Sequence, residues 1–377
     1  MVRWHYGPLP TTLLETLIVV TVVTYVIGRW RERALRPVRT FLDIPLLLLL
    51  LAAAISVVVA KDHRTALGLF RAYFLEPAAL FYVATDLVRR DGDYRRLIAA
   101  LGVGSSIFAV LNIFAFAQAL VHHAVHVGVP PSALYGDANY VAMYFDPIVA
   151  LAAGVVLFGN TPRSRWLGAA WLLLAGTALL LTLSKGSYLG LFGLALFVYA
   201  TVGRWRVPII AGVIVAALAL SRVPFIADRL ATTYNSIAGR AEVFTATYAM
   251  IRNSPIFGLG LGGFSYQFRG AIPEVYPHDV WLTFWVETGV LGMIAFGVIL
   301  FTLLWRGWRA WPRTADFARA ALWGVVGGLV VWAMHGLVDS PYWKNDMSAL
   351  FWIMAAMEVA VLRGLVAVAG RGSPERA

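Results

Sequence analysis

Apolar residues along this chain gather in runs of roughly 15 to 25 positions joined by short polar connections, the spacing of helices sized to a bilayer. Eleven runs are predicted: Leu13–Ile27, Ile44–Ala60, Leu67–Val88, Leu97–Ala119, Tyr140–Phe158, Trp166–Leu183, Tyr188–Val202, Val207–Ser221, Val280–Leu304, Ala318–His335 and Met347–Leu365. The first is read as a retained span rather than a signal peptide, because few charges precede it and the basic stretch GRWRERALRPVR follows. Residues 222–277 form the long connection, passing between the eighth and ninth runs without a stretch able to cross a membrane.

Cationic residues orient this pattern. The connections Arg29–Arg39, Arg89–Arg96, Arg163–Arg165, Arg204–Arg206, Arg306–Arg319 and Arg363–Arg376 hold 20 of the 31 lysines and arginines. Basic loops stay on the cytoplasmic side. The chain is therefore expected to start outside and end inside, with residues 222–277 as a long extracytoplasmic segment.

Composition agrees: 377 residues, 60% hydrophobic and 14% charged, with a mean hydropathy of +0.74. The expectation is an all-α polytopic membrane protein forming a single integral-membrane domain over residues 1–377. The net charge of +11 is spread over alternate loops rather than gathered in one module, so nucleic acid is not an expected partner. No cysteine is present, which excludes disulfides and thiolate metal sites. No glycine-lysine phosphate loop occurs, so ATP is not expected as an energy source. His122, His123 and His126 lack a carboxylate at ligand spacing, and neither a metal nor another cofactor is expected. Glu76-Pro77 inside the third run is read as a structural kink with a buried carboxylate.

The chemistry is expected in the long segment. RAEVFTATYAMIRN carries Val243, Phe244, Thr247, Tyr248 and Ile251 at helical spacing, with Arg240, Glu242 and Arg252 on the other face, the pattern of an interfacial helix on the membrane surface. SPIFGLGLGGF follows, whose glycines serve either a tight packing turn or exposed amides for an anion. The packing turn is the preferred reading. His278 opens the next span.

These phrases carry a resemblance. Ser184-Lys185-Gly186 at the mouth of a middle span, Arg240, NSPIFGLGLGGF, and His278 opening HDVWLTFWVETGVLG occur in the order found in the O-antigen ligase and polymerase family, over about Tyr135 to Trp352. The resemblance implies an architecture similar to other lipid-donor glycosyltransferases. It also implies an undecaprenyl-diphosphate-linked glycan as donor, a glycan or glycolipid such as lipid A-core as acceptor, and a site on the outer face of the bacterial cytoplasmic membrane. Two departures stand out: Lys185 replaces the usual arginine of Ser-Arg-Gly, losing the two-pronged guanidinium, and Asp279 replaces the usual asparagine after the histidine.

Glycan transfer needs an acceptor hydroxyl deprotonated while charge collects on the departing diphosphate. His278 is the candidate base, against a plain interface anchor. Arg240 and Lys185 are the candidate diphosphate clamp, against a headgroup contact and a snorkelling lysine respectively. Asp279 either orients the imidazole or caps the span. Arg252 and Arg269 are further phosphate or sugar candidates, and Tyr276, Trp281 and Trp285 form either a sugar platform or an aromatic belt. His335, Asp339, Lys344, Asn345 and Asp346 make a polar rim after the tenth run, which faces His278 if spans nine and ten are neighbours. Glu287 lies too deep for the base and reads as a packing or gating carboxylate. A metal-independent, inverting transferase is the reading, with a polyprenyl-glycan flippase or other secondary transporter as the alternative. A transporter would more naturally show an inverted repeat.

Overall fold

The computed structural model describes residues 3–6, 9–34, 38–125, 130–203, 207, 233–270 and 274–371. A short antiparallel hairpin, β1 (Arg3–Tyr6) and β2 (Leu9–Thr12), opens the chain, and Arg3 stands opposite Thr12. The rest is helical: α1 (Leu13–Arg31), α2 (Asp43–Val59), α3 (His63–Phe70), a π-helical turn (Arg71–Leu75), α4 (Glu76–Leu87), α5 (Asp91–Val121), α6 (Ala138–Phe158), α7 (Pro162–Leu181) and α8 (Lys185–Thr201). There follow α9 (Thr233–Asn253), α10 (Gly263–Gln267), α11 (Val280–Ala310), α12 (Asp316–His335) and α13 (Asn345–Arg371).

Among the described residues, 8 helical stretches are long and apolar enough to cross a membrane. They are Leu13–Arg31, His63–Leu87, Asp91–Val121, Ala138–Phe158, Pro162–Leu181, Val280–Arg313, Asp316–His335 and Asn345–Leu365. The apolar α2 and the neighbouring-length α8 are shorter, at 17 residues each. Every predicted run coincides with a helix except Val207–Ser221, which lies outside the described residues beyond Val207, as does the start of the long segment. Helices begin where the sequence offers an acceptor for the first free amides: Thr12, boxed with Glu15, for α1, Asp137 for α6, Thr161 for α7, Ser184 for α8 and Asp279 for α11.

At the centre lies α12, where Leu322, Trp323, Val325, Leu329 and Val331 are fully buried. It meets α6 through glycine. A Cβ at Gly154 would stand 2.6 Å from the Ala320 carbonyl oxygen, and one at Gly324 would stand 2.9 Å from the Leu151 Cα. Small residues let helix backbones approach where no water drives association. The flanking helices turn apolar side chains outward instead, with Leu17, Val20 and Val23 of α1 and Val103, Ile107 and Phe114 of α5 exposed. Such a belt suits hydrocarbon rather than water.

The Glu76-Pro77 pair has a structural explanation. Residue 77 has no N–H, so the carbonyl of Tyr73 lacks the amide donor that a helix normally places four residues on. The helix widens into the π turn Arg71–Leu75, and the Tyr342 hydroxyl donates to the Tyr73 carbonyl at 2.9 Å. Trp352 Nε1 donates in turn to the Tyr342 oxygen at 3.0 Å. Glu76 pairs with Arg71 at 3.3 Å, and Arg71 reaches Glu15 at 2.8 Å. Tyr342→Phe leaves a part-buried carbonyl without that donor, and the expected loss is about 1 kcal/mol of stability in thermal unfolding. No loss would mean the carbonyl is satisfied elsewhere.

The long segment docks on α11. Val243, Thr247 and Ile251 of α9 are buried, and the two apolar ones cluster with Phe264, Phe268 and Val286. The expected apolar stripe therefore faces protein, while Tyr248 is exposed. Glycines make the docking possible. Gly289 breaks α11 with φ 70° and ψ 179°, and the Ile256 carbonyl occupies the space a Cβ at 289 would need. Across this break Leu259 N donates to Val286 O at 2.7 Å, and Val290 N donates to Ile256 O at 3.2 Å. Gly260, at φ 83°, lies so close to α2 that a Cβ would be 2.6 Å from the Ser56 carbonyl oxygen. The preferred packing turn is thus what the glycines form. The turn's amides do hold a carboxyl group, that of the buried Glu287, which accepts from Gly262 N and from Phe264 N, the latter at 3.0 Å.

Candidate functional site

The starts of α6, α8 and α11 and the turn after α12 meet at one end of the bundle. Spans nine and ten of the sequence reading are neighbours there: Val280 N donates to Gly336 O at 2.8 Å, and the Thr283 and Ser340 hydroxyls lie 2.7 Å apart. His278 precedes the Asp279 cap, with its backbone in the left-handed region at φ 55°. This conformation is uncommon outside glycine, though histidine tolerates it better than branched residues. Here it projects the half-buried imidazole between two carboxylates.

Nδ1 of His278 lies 3.4 Å from Asp339 Oδ1, and Nε2 lies 2.9 Å from Glu274 Oε2. Burial alone would disfavour the imidazolium, but hydrogen bonds to Asp339 and Glu274 outweigh it and lift the pKa to about 9. The fully buried Asp339 carboxyl is held below its ordinary range, because the hydrogen bond and charge of His278 overcome desolvation. Ser340 N donates to Asp339 Oδ1 at 2.8 Å, and Asn139 Nδ2 donates to Oδ2.

Asn139 carries the network to the middle-span motif. Its Oδ1 accepts from Ser184 Oγ at 2.6 Å, and Ser184 caps α8 through Ser187 N. The helix starts at Lys185, so this residue belongs to the first turn of α8 rather than to a loop before it. Beneath the motif lies a second pair, His335 Nδ1 with Asp146 Oδ2, both fully buried, with Ser187 Oγ 3.4 Å from the same nitrogen. Gly186 is required above it, since a Cβ would overlap the His335 ring. Arg240 lies half-buried on α9. His335 Nε2 stands 4.0 Å from Asp339 Oδ2. Although α12 ends at His335, the turn that follows keeps Asp339 N on the His335 carbonyl at 3.0 Å.

Other expected residues go elsewhere. Asp279 Oδ1 accepts from Leu282 N at 2.8 Å, so Asp279 caps α11, and Asp339 is the carboxylate on Nδ1. Burial raises the Asp279 pKa. Tyr276 is 4% exposed, its ring edge-on to His278 at 5.3 Å and to Tyr140 at 6.4 Å, so it supports the imidazole from inside instead of offering an open sugar platform. Arg252 is exposed on α9, and Arg269 is exposed and donates to the Tyr266 and Phe268 carbonyls. Trp281 is edge-inclined to Phe296, while Trp285 Nε1 donates to Pro255 O at 2.9 Å. Lys344 lies over Tyr140 at 3.6 Å, but Asn345 turns to Thr12 and Glu15. His122 and His123 are exposed, and His126 lies outside the described residues. Among the described residues, no three His, Asp or Glu side chains group to hold a metal ion.

Glu274, Asn139 and Asp146 were not legible as site residues. Asp146 had a signal, a carboxylate inside an apolar run beside Pro147. Glu274 had one only in its four-residue distance from His278.

A comparison with curated proteins gives no match. Residues 169–297 match the family model described as O-antigen ligase, a stretch that contains Lys185, Arg240, Glu274 and His278 and stops before His335 and Asp339. That match covers about a third of the chain and supports the resemblance to an O-antigen ligase/polymerase-like family that the order of its motifs implies.

Proposed function

We propose that the chain is a membrane glycosyltransferase that moves a glycan from undecaprenyl diphosphate to a saccharide acceptor on the outer face of the cytoplasmic membrane, as ligase or polymerase. Eleven spans and an outward-facing site fit the alternation of basic connections. The observation that carries the reading is His278 set between Asp339 and Glu274, with Asp339 joined through Asn139 to Ser184 of the Ser184-Lys185-Gly186 motif.

The chemistry follows from that setting. With Glu274 in place, His278 is an imidazolium at neutral pH and cannot accept a proton. When an acceptor hydroxyl displaces Glu274 from Nε2, the Nε2 proton departs with the Glu274 carboxyl and passes to water, which leaves a neutral imidazole whose Nδ1–H is held by Asp339 and so fixes the tautomer. The hydroxyl proton passes to Nε2 as the oxygen bonds the anomeric carbon. The bond to the diphosphate breaks, and its electron pair leaves with the diphosphate, balanced by Arg240 and Lys185. A single displacement inverts the anomeric centre, and the step draws on side chains alone.

Glu274→Gln tests the arrangement. Removing the carboxylate lowers the His278 pKa, so the rising limb of the pH–rate profile is expected to move to lower pH by roughly 1 unit. An unmoved limb would dissociate it from His278, and a collapsed plateau would make Glu274 the base. The function itself is tested with purified protein in nanodiscs, a lipid-linked glycan and candidate acceptors, with products read by mass spectrometry. Transfer product is expected. Glycan translocation across vesicles without any transfer product would overturn the reading in favour of a transporter.

A further inference from the structure

The far end of α11 carries a second feature. It is separated from His278 by both helical pieces of α11, which meet at Gly289. There the ends of α11 and α13, the start of α12 and the connection before α5 enclose a groove of about 1030 Å³. Arg89, Arg306, Arg309 and Arg313 line it, together with an apolar wall that includes Trp305 and Leu365.

Charge in the groove is unbalanced. Arg89 is engaged with Asp86, and of the two carboxylates on the wall, Asp91 is paired with Arg95 at 2.8 Å. Among the described residues, Arg306, Arg309 and Arg313 form no carboxylate ion pair; Asp316 lines the groove with them, and the buried Glu358 carboxyl lies behind α11 against Gly307, beside Arg306. The first two lie over rings, Arg306 at 4.3 Å from the Phe41 centroid and Arg309 at 5.4 Å from that of Trp305. These contacts orient the guanidinium groups without neutralising them. An arginine cluster beside an apolar wall, where membrane-spanning helices end, is complementary to a ligand with phosphate at one end and hydrocarbon at the other.

We propose that this groove binds one anionic phospholipid, its phosphate on Arg306, Arg309 and Arg313 and its acyl chains along Trp305 and Leu365. A free phosphate would use the arginines and leave the apolar wall uncovered. The lipid uses both. The site is separate from the glycan-transfer chemistry and does not depend on it.

The test uses the full chain in nanodiscs of phosphatidylcholine doped with phosphatidylglycerol of the same acyl chains, followed by native mass spectrometry of lipid retained in detergent. One phosphatidylglycerol per chain is expected to survive exchange in preference to phosphatidylcholine. The triple variant Arg306→Gln, Arg309→Gln, Arg313→Gln is expected to lose that preference by about 100-fold, at roughly fivefold per arginine. The three side chains are exposed, so the fold is expected to survive, with melting temperature as the check. A control triple, Arg31→Gln, Arg96→Gln, Arg163→Gln, removes the same charge from other basic connections and should keep the bound lipid. Equal loss in the control would reduce the effect to diffuse attraction and overturn the site. Displacement of the lipid by millimolar inorganic phosphate would also overturn it, by making the groove a soluble-anion site.

Discussion

His278→Asn protein is expected to lose glycan transfer on the order of 10²- to 10⁴-fold, the range for removal of a general base. Asparagine is the replacement of choice because it adopts the left-handed backbone at φ 55° with little strain, so the turn survives the loss of the ring. The variant also strips the buried Asp339 of its cationic partner, which by itself destabilises the fold. The double variant His278→Asn, Asp339→Asn removes both charges. Its melting temperature is expected to recover toward that of the unmodified protein while transfer stays lost, which separates chemistry from folding. Recovery of transfer in the double variant would eliminate His278 as the base. The same pair makes stability depend on pH. The His278 pKa in the fold, about 9, is above its ordinary 6.5. The stabilisation is therefore complete below pH 6.5 and is lost as pH rises through about 9. Melting temperature should fall over that window, and more shallowly in Asp339→Asn.

The second large effect belongs to the cations. Arg240→Ala and Lys185→Ala are each expected to raise the donor concentration needed for half-maximal transfer by roughly 5- to 100-fold, the effect of one charge-assisted contact to a phosphate. Lys185→Arg should be milder because the charge stays. It restores a guanidinium where the ammonium now stands on the first turn of α8, and the turn itself is held by Ser184 and Gly186. Donor titration in nanodiscs reads the outcome. Unchanged donor dependence in both alanine variants would remove the two residues from the donor site.

Helices were legible because the bilayer imposes one length and one polarity on each run. What meets at the mouth was legible only in part. His278 and Asp339 lie 61 residues apart and join because the start of α11 is bonded to the end of α12 through Val280 and Gly336, a contact that no local pattern announces. Asn139 reads in sequence as one more polar residue at a helix start, yet it bridges Ser184 to Asp339. Tyr276 misled for the opposite reason. An aromatic residue beside a candidate base suggests an open platform, and only packing against Tyr140 shows it closed. The stripe on α9 had the right period, but period cannot tell lipid from a neighbouring helix, and the partners proved to be Phe264, Phe268 and Val286.

The bond from the Tyr342 hydroxyl to the Tyr73 carbonyl ties together two positions 269 residues apart in the chain. In evolutionary terms they form one unit. A descendant that replaces Pro77 regains an amide for the Tyr73 carbonyl and frees position 342 to lose its hydroxyl. A descendant that loses the hydroxyl first must cross a less stable intermediate. Across related chains, proline at 77 and tyrosine at 342 should therefore covary, with the proline lost before the tyrosine.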